Sequence, residues 1–257
     1  CETVARWMGM VVLQTELAAR LAREAQAQAQ RMTAENLINV LAHDLRTPLT
    51  PLRGHLDMIR RRAAHGDGQQ DILHHAVQGA RALDRMNSLI GDLLDVGRLA
   101  QGLFSLHVQP VDLIALVRET VDLLRVAEAD VHLHVLDNLC VQGDPRRLRQ
   151  ALENLLHNAL QHSPPGTAVA VEVTRELRTD GEWAMLTVRD DGPGIAPSLL
   201  PLLFDRFARG RDSTGLGLGL YLARGIAEAH GGTLTGESCV GQGASFHMAL
   251  PLSMAER

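Results

Sequence analysis

Between Met10 and Thr47 the chain contains neither glycine nor proline. Nothing in that stretch breaks a helix, and a coiled-coil rhythm follows. Leu45, Leu49, Leu52, Leu56 and Ile59 recur at alternating steps of four and three residues. Residues from about Ala5 to Ala64 are therefore predicted as one long helix. The Ala-Gln run from Glu24 to Gln30 forms helix readily but offers a thin apolar face, as a connecting coiled coil does. His65-Gly66-Asp67-Gly68 ends the pattern and predicts a hairpin turn. A second helix, from about Gln70 to Leu99, repeats the rhythm at Leu83, Met86, Ile90 and Leu93. Two antiparallel helices cover only part of such seams. A homodimer is expected, in which two hairpins form a four-helix bundle. A monomeric hairpin packed on a second domain is the alternative.

The remainder changes character. Gly97 to Pro110 reads as a hinge, and beyond it helix and strand patterns alternate. Val111 to Glu128 reads as a helix and Val131 to Leu136 as a strand. Asp144 to His162 is a helix with Asp144 as its cap and Pro145 at its first position. Ala168 to Leu177 and Trp183 to Arg189 are strands around a turn at Asp180-Gly181. A helix from near Gly215 to near Gly231 and strands at Thr233 to Thr235 and Ala244 to Leu250 complete the chain. The fold class is α+β: an N-terminal helical hairpin, then an α/β sandwich.

Bulk properties exclude several functions. A net charge of −5 gives no support for nucleic-acid binding. No apolar run reaches the roughly 18 residues of a membrane span, so no membrane contact is expected from this stretch. No signal peptide is visible. The start at Cys1, without Met, leads us to expect a fragment of a longer protein. Cys1, Cys140 and Cys239 are scattered and form neither a disulfide framework nor a CxxC pattern, which fits a reducing, cytoplasmic setting.

Four segments carry chemistry. His43-Asp44-Leu45-Arg46-Thr47-Pro48-Leu49 puts a nucleophile, an acid and a proline in the leucine-patterned helix. A neutral ring nitrogen of His43 can attack phosphorus, and Asp44 can orient the other nitrogen. Thr47 lies four residues on, on the same face as His43. Pro48 leaves the Asp44 carbonyl without its helical donor, so the helix should bend there. Second, Asn154, Asn158, Gln161 and His162 form a polar stripe on one helix face. An amide oxygen there suits Mg²⁺, although such a stripe alone also reads as a solvated face. Third, Asp190-Asp191-Gly192-Pro193-Gly194 follows a strand. Its carboxylate can accept from an exocyclic amine such as adenine's, and alone it also reads as an ordinary turn. Fourth, Gly215-Leu216-Gly217-Leu218-Gly219 exposes backbone N–H groups at a helix start, where anions bind. It is neither the dinucleotide fingerprint nor a P-loop. Gly241-Gln242-Gly243 adds a last glycine turn.

In this order the segments resemble the N, G1, F and G2 boxes of the GHKL-type ATP-binding fold, with Leu203-Phe204-Asp205-Arg206-Phe207 as the F box. With the His43 string upstream, the chain resembles a sensor histidine kinase of a two-component system over about Glu35 to Leu250. The resemblance implies 1–35 as a signalling helix, 36–100 as the dimerisation and phosphotransfer domain, 101–110 as the hinge and 111–257 as the catalytic domain. It implies ATP and Mg²⁺ as cofactors, His43 as the phosphoacceptor, Asp44 as base or orienter, and Thr47 in phosphatase activity. Asn158 is implied as the metal ligand, supported by Asn154. Asp190 is implied as the adenine reader, on a turn shaped by Gly192 and Gly194. Gly215, Gly217 and Gly219 are implied at the phosphates and lid, and Arg209 near the γ-phosphate. The implied partner is the receiver domain of a cognate response regulator.

Two departures stand out. Many relatives carry a basic residue and then Tyr or Phe where Gln161 and His162 stand, so the phosphate contact of that basic residue is put in doubt, with His162 expected to replace it only in part. The lid, Gly210 to Thr214, is short and is expected to close less completely or to exchange nucleotide faster. Thr3 to Met10 is similar to the last helix of a GAF-type sensor domain. His74-His75 and His132-x-His134 read as structural or surface histidines. Three rivals remain: a GHKL ATPase of another kind, a non-enzymatic scaffold, and a protein acting mainly as a phosphatase through Thr47.

Overall fold

The computed structural model describes residues 49–59, 61, 69–125, 130–135, 139–164, 166–208 and 216–252. His43, Asp44 and Thr47, the turn at 65–68, Arg209 and Gly215 lie outside them. So does most of the predicted first helix. The chain divides into two compact units, Cys1–Met86 and Asn87–Arg257. No helix among the described residues is long and apolar enough to cross a membrane.

The first unit contains α1 (residues 49–59) and the start of α2 (Gln69–Ala100). Leu52 is buried, and a Cβ on Gly79 would lie 3.6 Å from its Cδ1, so the helices approach closely at that glycine. One turn on, His55 and His75 face each other with their Nδ1 atoms 3.2 Å apart. Leu49, Leu56, Leu73, Val77 and Leu83 remain exposed. The heptad seam therefore points in two directions: Leu52 serves the hairpin, while its neighbours at steps of three and four are uncovered in a single chain.

The second unit takes in the last turns of α2, from Asn87. It continues with β1 (Gln109–Asp112), α3 (Leu113–Arg125), β2 (Val131–Val135), β3 (Cys140–Gly143) and α4 (Pro145–His162). Then come β4 (Val169–Arg178), β5 (Gly181–Asp190), a single 3₁₀ turn at Leu200–Leu202, α5 (Gly219–Ala229), β6 (Thr233–Ser238) and β7 (Ala244–Pro251). The main sheet has the order β2-β4-β5-β7-β6, with β2 parallel to β4 and every other pairing antiparallel. Val169, Val171 and Val173 of β4 alternate with less buried residues, so one face of the sheet is covered. The helices lie there, with Leu148, Leu152, Leu155 and Leu156 of α4 and Leu222 and Ile226 of α5 fully buried.

Two details differ from the expected pattern. Residues 109–112, expected to lead into and begin a helix, form β1, which pairs antiparallel with the unexpected β3. Strands of four residues are too short to display alternation. Residues 216–218 are not helical, and α5 starts only at Gly219.

The end of α2 is bound tightly to α4. Asp95 is buried and holds both guanidinium nitrogens of Arg147, one of them at 2.9 Å. Gln150 Nε2 donates to Asp92 Oδ1 at 3.0 Å and Asp95 Oδ2 at 3.2 Å. The Phe104 ring lies 4.7 Å from the Arg147 guanidinium. Burial pushes the Asp92 carboxyl up; the Gln150 hydrogen bond offsets part of this, while nearby Asp95 adds to it. Leu99 packs so closely on α5 that a Cβ at Gly225 would fall 2.6 Å from its Cδ1. The stretch after α2 is held too: Leu103 N–H donates to Arg98 O and His107 N–H to Asp144 Oδ2. Removing one partner of a buried ion pair strands the other. Asp95→Ala is expected to lower stability by on the order of 2–3 kcal/mol in urea unfolding, with Arg147→Met in the same chain recovering part of the loss.

Candidate functional site

The site is built on α4. Its cap, Asp144, accepts N–H bonds from Arg146 and Arg147 as well as His107. Burial alone would raise this carboxyl; the three backbone donors and the Arg147 charge outweigh it and hold the group below the usual range. The Asp144 N–H donates to His230 Nε2 at 2.9 Å, so His230 Nδ1 carries the proton and donates to Ile226 O. Gly143 has no room for a side chain: a Cβ would meet the His230 ring at 2.8 Å. The start of α4 and the end of α5 are thereby fixed together.

Along α4 the leucine face is buried, and Asn154 and Asn158 form a half-buried stripe flanking it. Asn154 Nδ2 is buried with no hydrogen-bond partner among the described residues. Its Oδ1 lies 3.4 Å from where a Cβ on Gly219 would stand. The glycine start of α5 therefore abuts the asparagine stripe. An unpartnered buried amide is costly, and an acceptor oxygen from a nucleotide would satisfy it. Among the described residues no group of three or more His, Cys, Asp or Glu could hold a metal. An amide oxygen such as that of Asn158, completed by phosphate oxygens and water, is the donor set that Mg²⁺ takes at such sites. The residues present fit both groups.

Asp190 ends β5 almost wholly buried, 3 % exposed. Its Oδ1 accepts the Gly192 N–H at 2.9 Å and the Ala244 N–H at 3.3 Å. Burial nevertheless leaves the carboxyl raised; the two backbone bonds and the nearby His162 offset only part of this, and Asp191 adds to it. With Oδ1 engaged, Oδ2 is the oxygen suited to an incoming amine.

Several of these glycines stand where a close backbone approach or a positive φ leaves no room for a side chain. A Cβ at Gly192 would lie 2.6 Å from His162 O, so the end of α4 and the turn after β5 meet there. Gly194, at φ 73°, has no space against Cys239 O. Gly217, at φ 66°, accepts the N–H of Phe207, itself at φ 64°; this pairs the two ends of the segment containing Arg209 and Gly215. The structure thus gathers Asn154, Asn158, His162, Asp190, Gly192, Gly194, Gly217 and Gly219 in one domain.

Sequence reasoning missed three participants. Gly243, at φ 80°, lies against Asp190 O and admits no Cβ, although the Gly241-Gln242-Gly243 turn was visible. Ala244 contributes only its backbone N–H, which no residue type reveals. Ser238 bridges two loops from a strand end that carries no motif.

The comparisons with known proteins agree with this geometry. Residues 143–254 match the histidine kinase-, DNA gyrase B- and HSP90-like ATPase family, and residues 33–102 match the His kinase A phospho-acceptor domain. The chain is similar to the probable sensor histidine kinase TcrY of Mycobacterium tuberculosis, 36% identical over 88% of this chain and 47% of that protein. It thus spans about half the length of that relative. Among solved structures, the mycobacterial sensor histidine kinase MprB is 31% identical with a TM-score of 0.50, covering 56% of this chain and 97% of that one. Full-length ShkA in complex with AMPPNP is 29% identical with a TM-score of 0.60, covering 86% of this chain and 46% of that one. A helical hairpin and an α/β ATPase domain, matched in order by both family models, show that the chain belongs to the sensor histidine kinase family.

Proposed function

We propose that this chain is the catalytic part of a two-component sensor kinase. It transfers the γ-phosphoryl group of ATP to His43 and then to an aspartate of a response-regulator receiver domain. The observation that carries the reading is Asp190: a buried carboxylate with one oxygen held by backbone donors, beside an asparagine stripe and a glycine-started helix. That cradle suits a purine with an exocyclic amine and a phosphate chain.

In the first step a lone pair on neutral His43 forms a bond to the γ-phosphorus while the bond to the bridging oxygen breaks and ADP leaves. Asp44 orients the ring and takes up its proton. In the second, a receiver carboxylate attacks phosphorus and His43 leaves. Asn158, with Asn154 beside it, would hold Mg²⁺, which neutralises phosphate charge when bound. Gln161 stands where relatives place a basic phosphate contact, and His162 beside it would replace that contact in part. Thr47, near His43, would serve the reverse function by positioning water against the phosphorylated regulator. The exposed leucines of α1 and α2 support homodimerisation, since apolar seams of this kind mark interfaces. A cytoplasmic location follows from the chemistry, because ATP and the receiver domain are met there.

Labelling with γ-phosphate-tagged ATP and Mg²⁺ tests the central claim. An acid-labile, base-stable label is expected on the intact chain and none on His43→Gln; label persisting in the variant would assign the acceptor elsewhere.

Asp190→Asn separates binding from folding. The amide oxygen can keep both loop N–H bonds, but an NH₂ replaces the oxygen that faces the ligand. ATP affinity should fall at least tenfold, roughly the loss of a charge-assisted bond together with a donor–donor clash. Because burial raises the Asp190 pKa, the ligand-free fold is strained by its charge above that pKa and relieved below it. The variant should therefore melt no lower than the parent at pH 8 without nucleotide. ATP binding to the parent should weaken as pH falls through the raised Asp190 pKa, and calorimetric titration across pH checks both signs.

A further inference from the structure

Ser238, at the end of β6, ties the turn after β5 to the turn between β6 and β7 with its side chain. Its Oγ accepts the Ile195 N–H at 2.8 Å and donates to Gly243 O at 2.6 Å. Gly243 O and the Ala244 N–H are the two ends of one peptide plane. The other end donates to Asp190 Oδ1. A continuous chain therefore runs from Ile195 N–H through the Ser238 hydroxyl and the Gly243–Ala244 peptide to the carboxylate. Each bond in such a chain polarises the next. The surroundings leave the peptide little alternative. Gly241 N–H donates to Pro193 O at 2.8 Å, and Gly194 and Gly243 lie too close to Cys239 and Asp190 backbone atoms to carry side chains.

We propose that Ser238 is a positioning residue for base selectivity: it aims the Gly243–Ala244 peptide at Asp190 Oδ1 and so presents Oδ2 to the exocyclic amine of the base. The inference rests on Asp190 as the reader of that amine. Ser238 touches no ligand; it acts through a backbone N–H. The charged form of Asp190 is favoured by the Ala244 bond, so weakening that bond moves protonation of the carboxyl to higher pH.

The test compares ADP with inosine diphosphate, which has a carbonyl in place of the amine, by calorimetric titration of the full chain with Mg²⁺. The parent should prefer ADP. Ser238→Ala should weaken ADP about fivefold, the typical consequence of losing one neutral hydrogen bond, with the inosine compound changing less than about twofold. Ser238→Thr keeps the hydroxyl and should restore the preference. The pH at which ADP binding is half lost should rise in Ser238→Ala and not in Ser238→Thr. Should the alanine variant not fold, Ser238→Cys, a weaker donor and acceptor of similar shape, carries the same comparison. Equal losses for both nucleotides would reduce Ser238 to a structural residue and overturn the proposal, as would unchanged binding of both. A parent that does not distinguish the two nucleotides would overturn the reading of Asp190 itself, and the proposal with it.

Discussion

The Asp144 junction is the constraint on which the ATP-binding unit depends. Four backbone or ring partners from three parts of the chain converge there: His107 from the strand-leading segment, Arg146 and Arg147 from the first turn of α4, and His230 from the end of α5. A helix start leaves N–H groups without partners, and the carboxylate satisfies two of them while its second oxygen binds the preceding strap. The reverse bond, from Asp144 N–H to His230, makes the cap reciprocal between helices. Because α4 is rigid, fixing its first turn fixes the azimuth of every later residue. Asn154 then faces the glycine start of α5 instead of the leucine-packed core.

Burying Asp190 carries a cost in the fold. A carboxylate 3 % exposed has only two backbone donors on one oxygen, and burial still dominates its titration. A structural residue would be paired more fully or replaced. The same holds for Asn154, whose amide nitrogen lacks a partner among the described residues. Both groups lie in the same domain, and both would gain from a nucleotide: Asp190 a donor, Asn154 an acceptor. Two uncompensated polar groups with complementary needs, a helix and a strand apart, distinguish a binding site from a poorly packed corner.

The motifs made most of this domain legible. Glycines at 192, 194 and 217 stand where a close backbone approach or positive φ requires them, and such requirements leave a trace in residue type. Asp144-Pro145 announced its helix for the same reason. The short pair β1 and β3 was hidden, because four residues cannot show a period. The Ala244 N–H was hidden because backbone donors are common to nearly all residues. Asp95 was hidden because its partner lies 52 positions away, and pairing between distant helices leaves no local pattern. The leucine repeats announced helices, yet the described residues show that one repeat serves two faces: Leu52 is inside the hairpin and Leu49 and Leu56 are outside it.

A further consequence follows from the period of α4. Arg147, Gln150, Asn154 and Asn158 are spaced 3, 4 and 4, so all four lie along a single stripe within about 80° of one another. The first two grip Asp92 and Asp95 on the end of α2; of the last two, which we propose for the nucleotide, Asn154 abuts Gly219 at the start of α5. Gln150 and Asn154 are one turn apart, about 6 Å of helix rise. No loop or flexible segment intervenes between the residues that hold α2 and those that would hold Mg²⁺. Leu99, seated against Gly225, ties the same end of α2 to α5, whose first residue abuts Asn154. A rotation of the last turns of α2 would therefore act on the two helices that define the nucleotide cradle, through side chains in direct contact. Close-packed helices respond to such a push by shifting as bodies, not by deforming locally. The end of α2 is accordingly part of the wall of the ATP-binding unit, and its three carboxylate and leucine contacts are where motion in the helix would first be felt by the site.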